Sequence, residues 1–263
     1  MFGYSGKTAL ITGASSGIGA AFAGALAARG MATVLVARSE EPLRALASQL
    51  TERHATRAEV IPVDLSTASG VAELIEEIQR REMSIDLLIN NAGFGLHGRF
   101  ESLSPQQQLD EIQVNTAALV ALTHAVAPGM LARSSGAIIN VASTLAFQPD
   151  PYMAVYGATK AFVLSFSSAL AEEYAATGVR VMALCPGATA TPFYKVAGGD
   201  ETFARMRMRT PEQVVTTGLR ALESGRTVVV DGASNRWLFG LTSTLPASVG
   251  ARILGSALRP KVR

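Results

Sequence analysis

The sequence predicts an α/β protein with a doubly wound parallel sheet of about seven strands. Three observations carry this expectation. Short Val/Ile/Leu-rich runs recur without strict alternation, which is how strands buried on both faces read. Longer helical patterns separate them, and this β-α rhythm requires right-handed crossovers. Finally, 48% of the 263 residues are hydrophobic and 17% charged, a packed rather than a disordered composition.

The predicted strands are Thr8–Thr12, Ala32–Ala37, Ala58–Val63, Ile85–Asn90, Ala137–Val141, Val179–Leu184 and Thr227–Val230. The predicted helices are Ile18–Arg29, Pro42–Arg53, Gly70–Arg81, Pro105–Ala132, Ala154–Ala176 and Pro211–Glu223. Ser104-Pro105 and Thr210-Pro211 each place a capping side chain before a first-turn proline. Gly30 and Gly178 fall where helices should stop. No linker divides residues 1–232, which read as one domain, and residues 233–263 read as a C-terminal helical extension.

Composition excludes several classes. One cysteine, Cys185, leaves no disulfide framework. The scattered His54, His97 and His124 do not form a metal-binding pattern, so no metal is expected. A pI near 8.8 is too mild to require nucleic acid. No signal segment or long uninterrupted apolar run stands out, so a soluble, cytoplasmic chain is expected. Five cations and no anion follow Asp231, so the tail carries +5 of a net +2 and residues 1–231 carry −3. That basic, apolar tail should pack on its own domain or on a partner subunit. Contact with an anionic membrane is the less favoured alternative.

Leu10-Ile11-Thr12 runs into Gly13-Ala14-Ser15-Ser16-Gly17-Ile18-Gly19 and then into an Ala-rich helix. In this setting Gly13 permits a tight turn, Gly17 a close backbone approach to a pyrophosphate, and Gly19 close helix-sheet packing. Exposed N–H groups and the helix dipole favour the anion. The arrangement is therefore Rossmann-type, with its ligand above the carboxyl ends of the strands. After the second strand comes Arg38 rather than an acid. A guanidinium suits a 2′-phosphate, so NADP(H) is expected over NAD(H). A solvated surface role for Arg38 is the alternative. Asp64-Leu65 ends the third strand, where Asp64 could contact adenine or cap the next helix.

Tyr156 and Lys160 are four apart on one predicted helix and share a face. An adjacent cation favours the phenolate, which lets Tyr156 exchange a proton with a substrate oxygen. Ser143, just past the fifth strand, could orient the same oxygen. Asn115 is a polar residue inside a predicted helix and needs a partner if buried.

Together these motifs resemble the short-chain dehydrogenase/reductase family, in its single-domain branch of about 250 residues. The resemblance rests on Thr12-Gly13…Gly17-Ile18-Gly19, Asp64-Leu65, Asn90-Asn91-Ala92-Gly93, Asn115, Ser143, Tyr156/Lys160 and Pro186-Gly187. It implies an oxidoreductase that interconverts a ketone or 3-oxoacyl group and a secondary alcohol by hydride transfer. Tyr156 would be the general acid/base, Ser143 would hold the reacting oxygen, and Lys160 would lower the tyrosine pKa and bind the nicotinamide ribose. Asn115 would position Lys160 and a relay water. Asn91, Ala92 and Gly93 would let the cofactor approach, while Asn90 would tie neighbouring loops. Pro186, Gly187, Thr189 and Thr191 would embrace the nicotinamide, although either threonine could be a plain loop hydroxyl. The family also implies a homodimer or homotetramer through the helices bearing Asn115 and Tyr156. The tail is similar to a subgroup that includes 3-oxoacyl-CoA and hydroxysteroid reductases. Two alternatives stay open: a non-catalytic NADP(H)-sensing protein, and an NAD-dependent alcohol or hydroxysteroid dehydrogenase.

The substrate is expected to be a small, hydrophobic carbonyl compound or alcohol. Phe94, Leu96, Leu145, Phe147, Pro151, Met153 and Phe193 are candidate pocket residues. His97 is either a polar handle or a satisfied loop histidine. Phe193–Arg209 could form a lid whose Arg205, Arg207 and Arg209 attract an anion, or a solvated face. Cys185 is expected to be inert packing.

Overall fold

The computed structural model describes residues 2–198, 208–242 and 246–260, with backbone alone for 238–242. Seven strands form one parallel sheet: β1 (Thr8–Thr12), β2 (Ala32–Ala37), β3 (Ala58–Pro62), β4 (Leu87–Asn90), β5 (Gly136–Val141), β6 (Val179–Cys185) and β7 (Val228–Val230). Their order is β3-β2-β1-β4-β5-β6-β7. The order reverses between β1 and β4, whose chains leave in opposite directions and open a crevice above their carboxyl ends.

The helices are α1 (Gly17–Ala27), α2 (Glu40–His54), α3 (Ala68–Arg80), α4 (Pro105–Ile112), α5 (Ala118–Ala132), α6 (Ala154–Glu173), α7 (Phe193–Ala197), α8 (Pro211–Glu223), α9 (Ala233–Thr242) and α10 (Ala247–Leu258). They cover both sheet faces. Alternate residues of one strand feed opposite cores: Ala9 and Ile11 pack with α1, α2 and α8, whereas Leu10 packs with α3, α5 and α6. This explains why the strands show no polar alternation. Each fully buried Leu or Ile contributes about 1.5–3 kcal/mol.

Some expected boundaries move. β4 begins two residues late because Asp86 leaves the strand pattern and accepts the Thr8 amide on its carboxylate. Helix α2 starts at Glu40, before Pro42, which fits a first-turn position. The cap of α3 is Thr67, which accepts the Gly70 amide; it is not Asp64, which accepts the Ser66 amide. The single helix expected over Pro105–Ala132 is three pieces, because Gln113–Ala117 form a π turn between α4 and α5. The extra residue of such a turn re-aims a side chain. Here the buried residue of the turn is Asn115.

Two helical stretches, Pro105–Ala132 and Ala154–Glu173, are long and apolar enough to cross a membrane. In this fold they lie against the sheet and carry Asn115, Tyr156 and Lys160. The tail folds back on the chain: Leu258 is buried against Met153 and Tyr156, and Gly250 and Gly255 abut Gln148 and Pro151. Trp237 and Ile253 face outward.

Candidate active site

The crevice is a cleft of about 380 Å³. Its lining includes Gly13, Ser15, Ser16, Gly17, Ile18, Arg38, Asp64, Leu65, Asn91, Ala92, Gly93, Ser143, Tyr156, Lys160, Pro186, Gly187, Thr189 and Thr191. Gly19 and Asn115 stand behind this wall. A Cβ on Gly19 would strike the Gly13 carbonyl oxygen, so this glycine sets the helix-sheet distance. Gly13 has φ +65°, and a Cβ there would lie 2.8 Å from Asn91 Nδ2. Asn91 clamps the end of β1, donating from Nδ2 to the Thr12 and Gly13 carbonyls. Its amide and that of Ala92 both donate to Thr12 Oγ1.

The first turn of α1 contains no acidic residue, and Ser16 makes no side-chain cap bond. Its N–H groups therefore remain available to an anion. Arg38 lies exposed at the mouth. Nearby Glu40 is taken by Arg44. A glycine cradle and an uncapped helix start fit the pyrophosphate of a dinucleotide.

Ser143 begins a 3-10 turn at the end of β5, and its Oγ accepts the Leu145 amide at 3.1 Å. It also faces the Tyr156 hydroxyl. Lys160 Nζ lies 5.7 Å from the Tyr156 ring centroid and donates to the Val141 carbonyl at 2.8 Å. Both residues are buried. The expected acidification of Tyr156 by Lys160 is not what the chain itself produces. Burial raises the phenol pKa above its ordinary value, the nearby Ser143 hydroxyl opposes this, and the charges of Tyr194, Glu111 and Asp150 add to the rise. Burial pulls Lys160 down to about 8, against the support of Glu111.

Asn115 does not bond Lys160. It accepts the Phe94 amide and donates to the Phe94 carbonyl and to Thr159 Oγ1, thereby tying the loop after β4 to α6. Asn90 is structural: it donates to Thr123 and Asn140, linking β4 to α5 and β5. Thr189 Oγ1 donates to the Gly187 carbonyl, and Thr191 Oγ1 accepts the Phe193 amide.

At the substrate end, Phe94, Leu145, Met153 and Phe193 line the cleft, whereas Leu96, Phe147 and Pro151 do not. Phe147 packs instead with Leu119, Val163 and Cys185. Phe193 lies 5.2 Å from the Tyr156 ring. Tyr194, Val196 and Leu258 complete the wall and were not foreseen. For Leu258 the sequence offered only an apolar tail. His97 is a satisfied loop histidine, with Nε2 2.7 Å from the Leu258 carbonyl oxygen. Arg209 is paired with buried Asp231 at 2.6 Å, so it is not free to attract an anion. Arg205 and Arg207 lie outside the described residues. Cys185 is buried, and its thiol is pushed up to about 12 by burial.

A family model described as short chain dehydrogenase matches residues 7–201. The chain belongs to this family. It is 37% identical over 188 residues to hydroxysteroid dehydrogenase-like protein 1 of Gallus gallus, covering 71% of this chain and 56% of that protein. The Homo sapiens protein named inactive hydroxysteroid dehydrogenase-like protein 1 is 35% identical over 188 residues, with 71% and 57% coverage. The chain thus spans little more than half the length of these two relatives. The very-long-chain 3-oxoacyl-CoA reductase of Bos taurus is 35% identical over 216 residues, with 78% and 68% coverage. Among solved structures, a short-chain dehydrogenase from Sphingobium yanoikuyae in complex with NADPH superposes with TM-score 0.82 at 35% identity, covering 91% of this chain and 96% of its own. The bulky-bulky ketone specific alcohol dehydrogenase from Comamonas testosteroni gives 0.77 at 35% identity, with 91% and 95% coverage. A Burkholderia phymatum family member in complex with NAD gives 0.84 at 25% identity, with 92% and 94% coverage. The Sphingobium and Burkholderia structures thus each hold a nicotinamide dinucleotide.

Proposed function

We propose that this chain is an NADP(H)-dependent oxidoreductase interconverting a bulky apolar ketone and its secondary alcohol. The carrying observation is the convergence of Ser143, Tyr156 and Lys160 in the cleft that also holds the glycine cradle and Arg38. Gly13, Ser15, Ser16, Gly17 and Ile18 would hold the pyrophosphate, Arg38 the 2′-phosphate, and Asp64 with Leu65 the adenine. Asn91, Ala92, Gly93, Lys160, Pro186, Gly187, Thr189 and Thr191 would surround the nicotinamide half. When bound, the dinucleotide supplies or accepts the hydride.

In reduction, Tyr156 gives its hydroxyl proton to the carbonyl oxygen; in oxidation it takes that proton back. Ser143 bonds the same oxygen and supports the phenolate. Lys160 places positive charge beside that phenolate. Phe94, Leu145, Met153, Phe193, Val196 and Leu258 offer apolar surface, which supports a hydrophobic substrate. A homo-oligomer formed through α5 and α6 agrees with the exposed Phe162 beside Val120 and Ala121.

The test is NADPH oxidation with steroid, aliphatic and acyl-thioester ketones. Turnover of bulky apolar ketones supports the reading. Tight NADPH binding with no turnover of any ketone would favour a cofactor-sensing protein, in line with the relative named inactive.

A further inference from the structure

Glu111, on the last turn of α4, is fully buried. Its carboxylate oxygens meet no side-chain hydrogen-bond donor among the described residues, and the Leu96 amide is the backbone group that faces them. Such a group is costly unless a counter-charge lies near. Helix α4 packs against α6. Four residues on, Asn115 bonds Thr159, the neighbour of Lys160. A Cβ on Gly93 would lie 2.9 Å from Asn115 Oδ1 and 3.3 Å from Lys160 Nζ, so this corner is tightly closed. Lys160 is also buried and has no ion-pair contact among the described residues.

We infer that Glu111 is a positioning residue whose carboxylate is the counter-charge that keeps Lys160 an ammonium beside Tyr156. The kinetic consequence rests on the proposed reaction; the charge coupling itself does not. Burial pushes Glu111 up to about 8, Lys160 and the Leu96 amide oppose this, and Glu111 in turn supports the ammonium. The other groups facing Lys160 are Tyr156 on α6 and Cys185 on β6, and Cys185 stays a neutral thiol below about pH 12. Asp150 and Tyr194 act on Tyr156.

The experiment is a pH titration of the full-length protein followed by NMR of isotope-labelled lysine. Only Lys7, Lys160, Lys195 and Lys261 contribute signals. In Glu111→Gln the Lys160 midpoint should fall by about one unit or more, as expected on losing a nearby opposite charge. Asp150→Asn should leave it in place. In the unsubstituted chain, with glutamate carboxyl-labelled in a second sample, the Glu111 carboxyl and Lys160 signals should move in a shared step. This keeps the inference testable if Glu111→Gln does not fold. The basic limb of the pH–rate profile should follow the Lys160 midpoint. An unchanged Lys160 midpoint in folded Glu111→Gln, or independent steps in the unsubstituted chain, would overturn the inference. If Lys160 responds as expected while no carbonyl is turned over, the proposed reaction fails and the coupling stands.

Discussion

Replacing Arg38 by aspartate reverses the charge at the exit of β2, beside the point where Ala14 donates to the Val36 carbonyl and the glycine turn begins. Arg38 is exposed, and Glu40 is engaged by Arg44, so the guanidinium is free to meet an incoming 2′-phosphate. A hydrogen bond to a charged group is worth about 1.5–3 kcal/mol, which corresponds to roughly tenfold to hundredfold. Solvent screening at this exposed position places the expected loss near the lower end. Arg38→Asp should therefore cut kcat/KM for NADPH by about tenfold or more and raise the preference for NADH, whose free 2′-hydroxyl a carboxylate can accept. The assay compares both cofactors with one ketone at low and high salt, where the NADPH advantage of the unsubstituted chain should shrink as salt rises. An NADPH-to-NADH ratio unchanged by the substitution would refute the role given to Arg38.

Two other outcomes follow from the same geometry. Leu258→Ala removes a buried side chain that packs on Met153 and Tyr156 and lines the cleft. The KM for bulky apolar ketones should rise by about tenfold, from a lost contact of roughly 1.5–3 kcal/mol, while a small ketone is little affected; equal losses for both would count against the tail as a wall of the site. Asp150 is buried with both carboxylate oxygens unpartnered, and burial pushes it up to about 8. The raised folded pKa means that stability is fully present below the unfolded pKa, about 4, and declines as pH rises toward about 8. Asp150→Asn should flatten that decline in melting temperature, and an unchanged pH dependence would show that Asp150 does not drive it.

The strands were legible because a parallel sheet buries both faces, and so writes itself as runs such as Ala32–Ala37. The glycine cradle and the Tyr156/Lys160 pair were legible because their spacing is local. The π turn at Gln113–Ala117 was not, since helical periodicity looks unbroken across it. Lys160 bonding the Val141 carbonyl, Asn115 reaching Thr159 rather than Lys160, and Leu258 returning from the tail to the cleft are long-range facts. No short-range pattern encodes them. Phe147 illustrates the same limit, because an apolar loop residue beside Ser143 can equally join the core, as it does.

The most direct test of the central claim is Tyr156→Phe, read as a single turnover of hydride transfer from NADPH to a bulky apolar ketone. The substitution removes the hydroxyl and keeps the ring that packs on Phe193. The rate should fall by about a hundredfold or more, as losing a general acid does, with NADPH affinity essentially unchanged. A rate close to that of the unsubstituted chain would contradict the account.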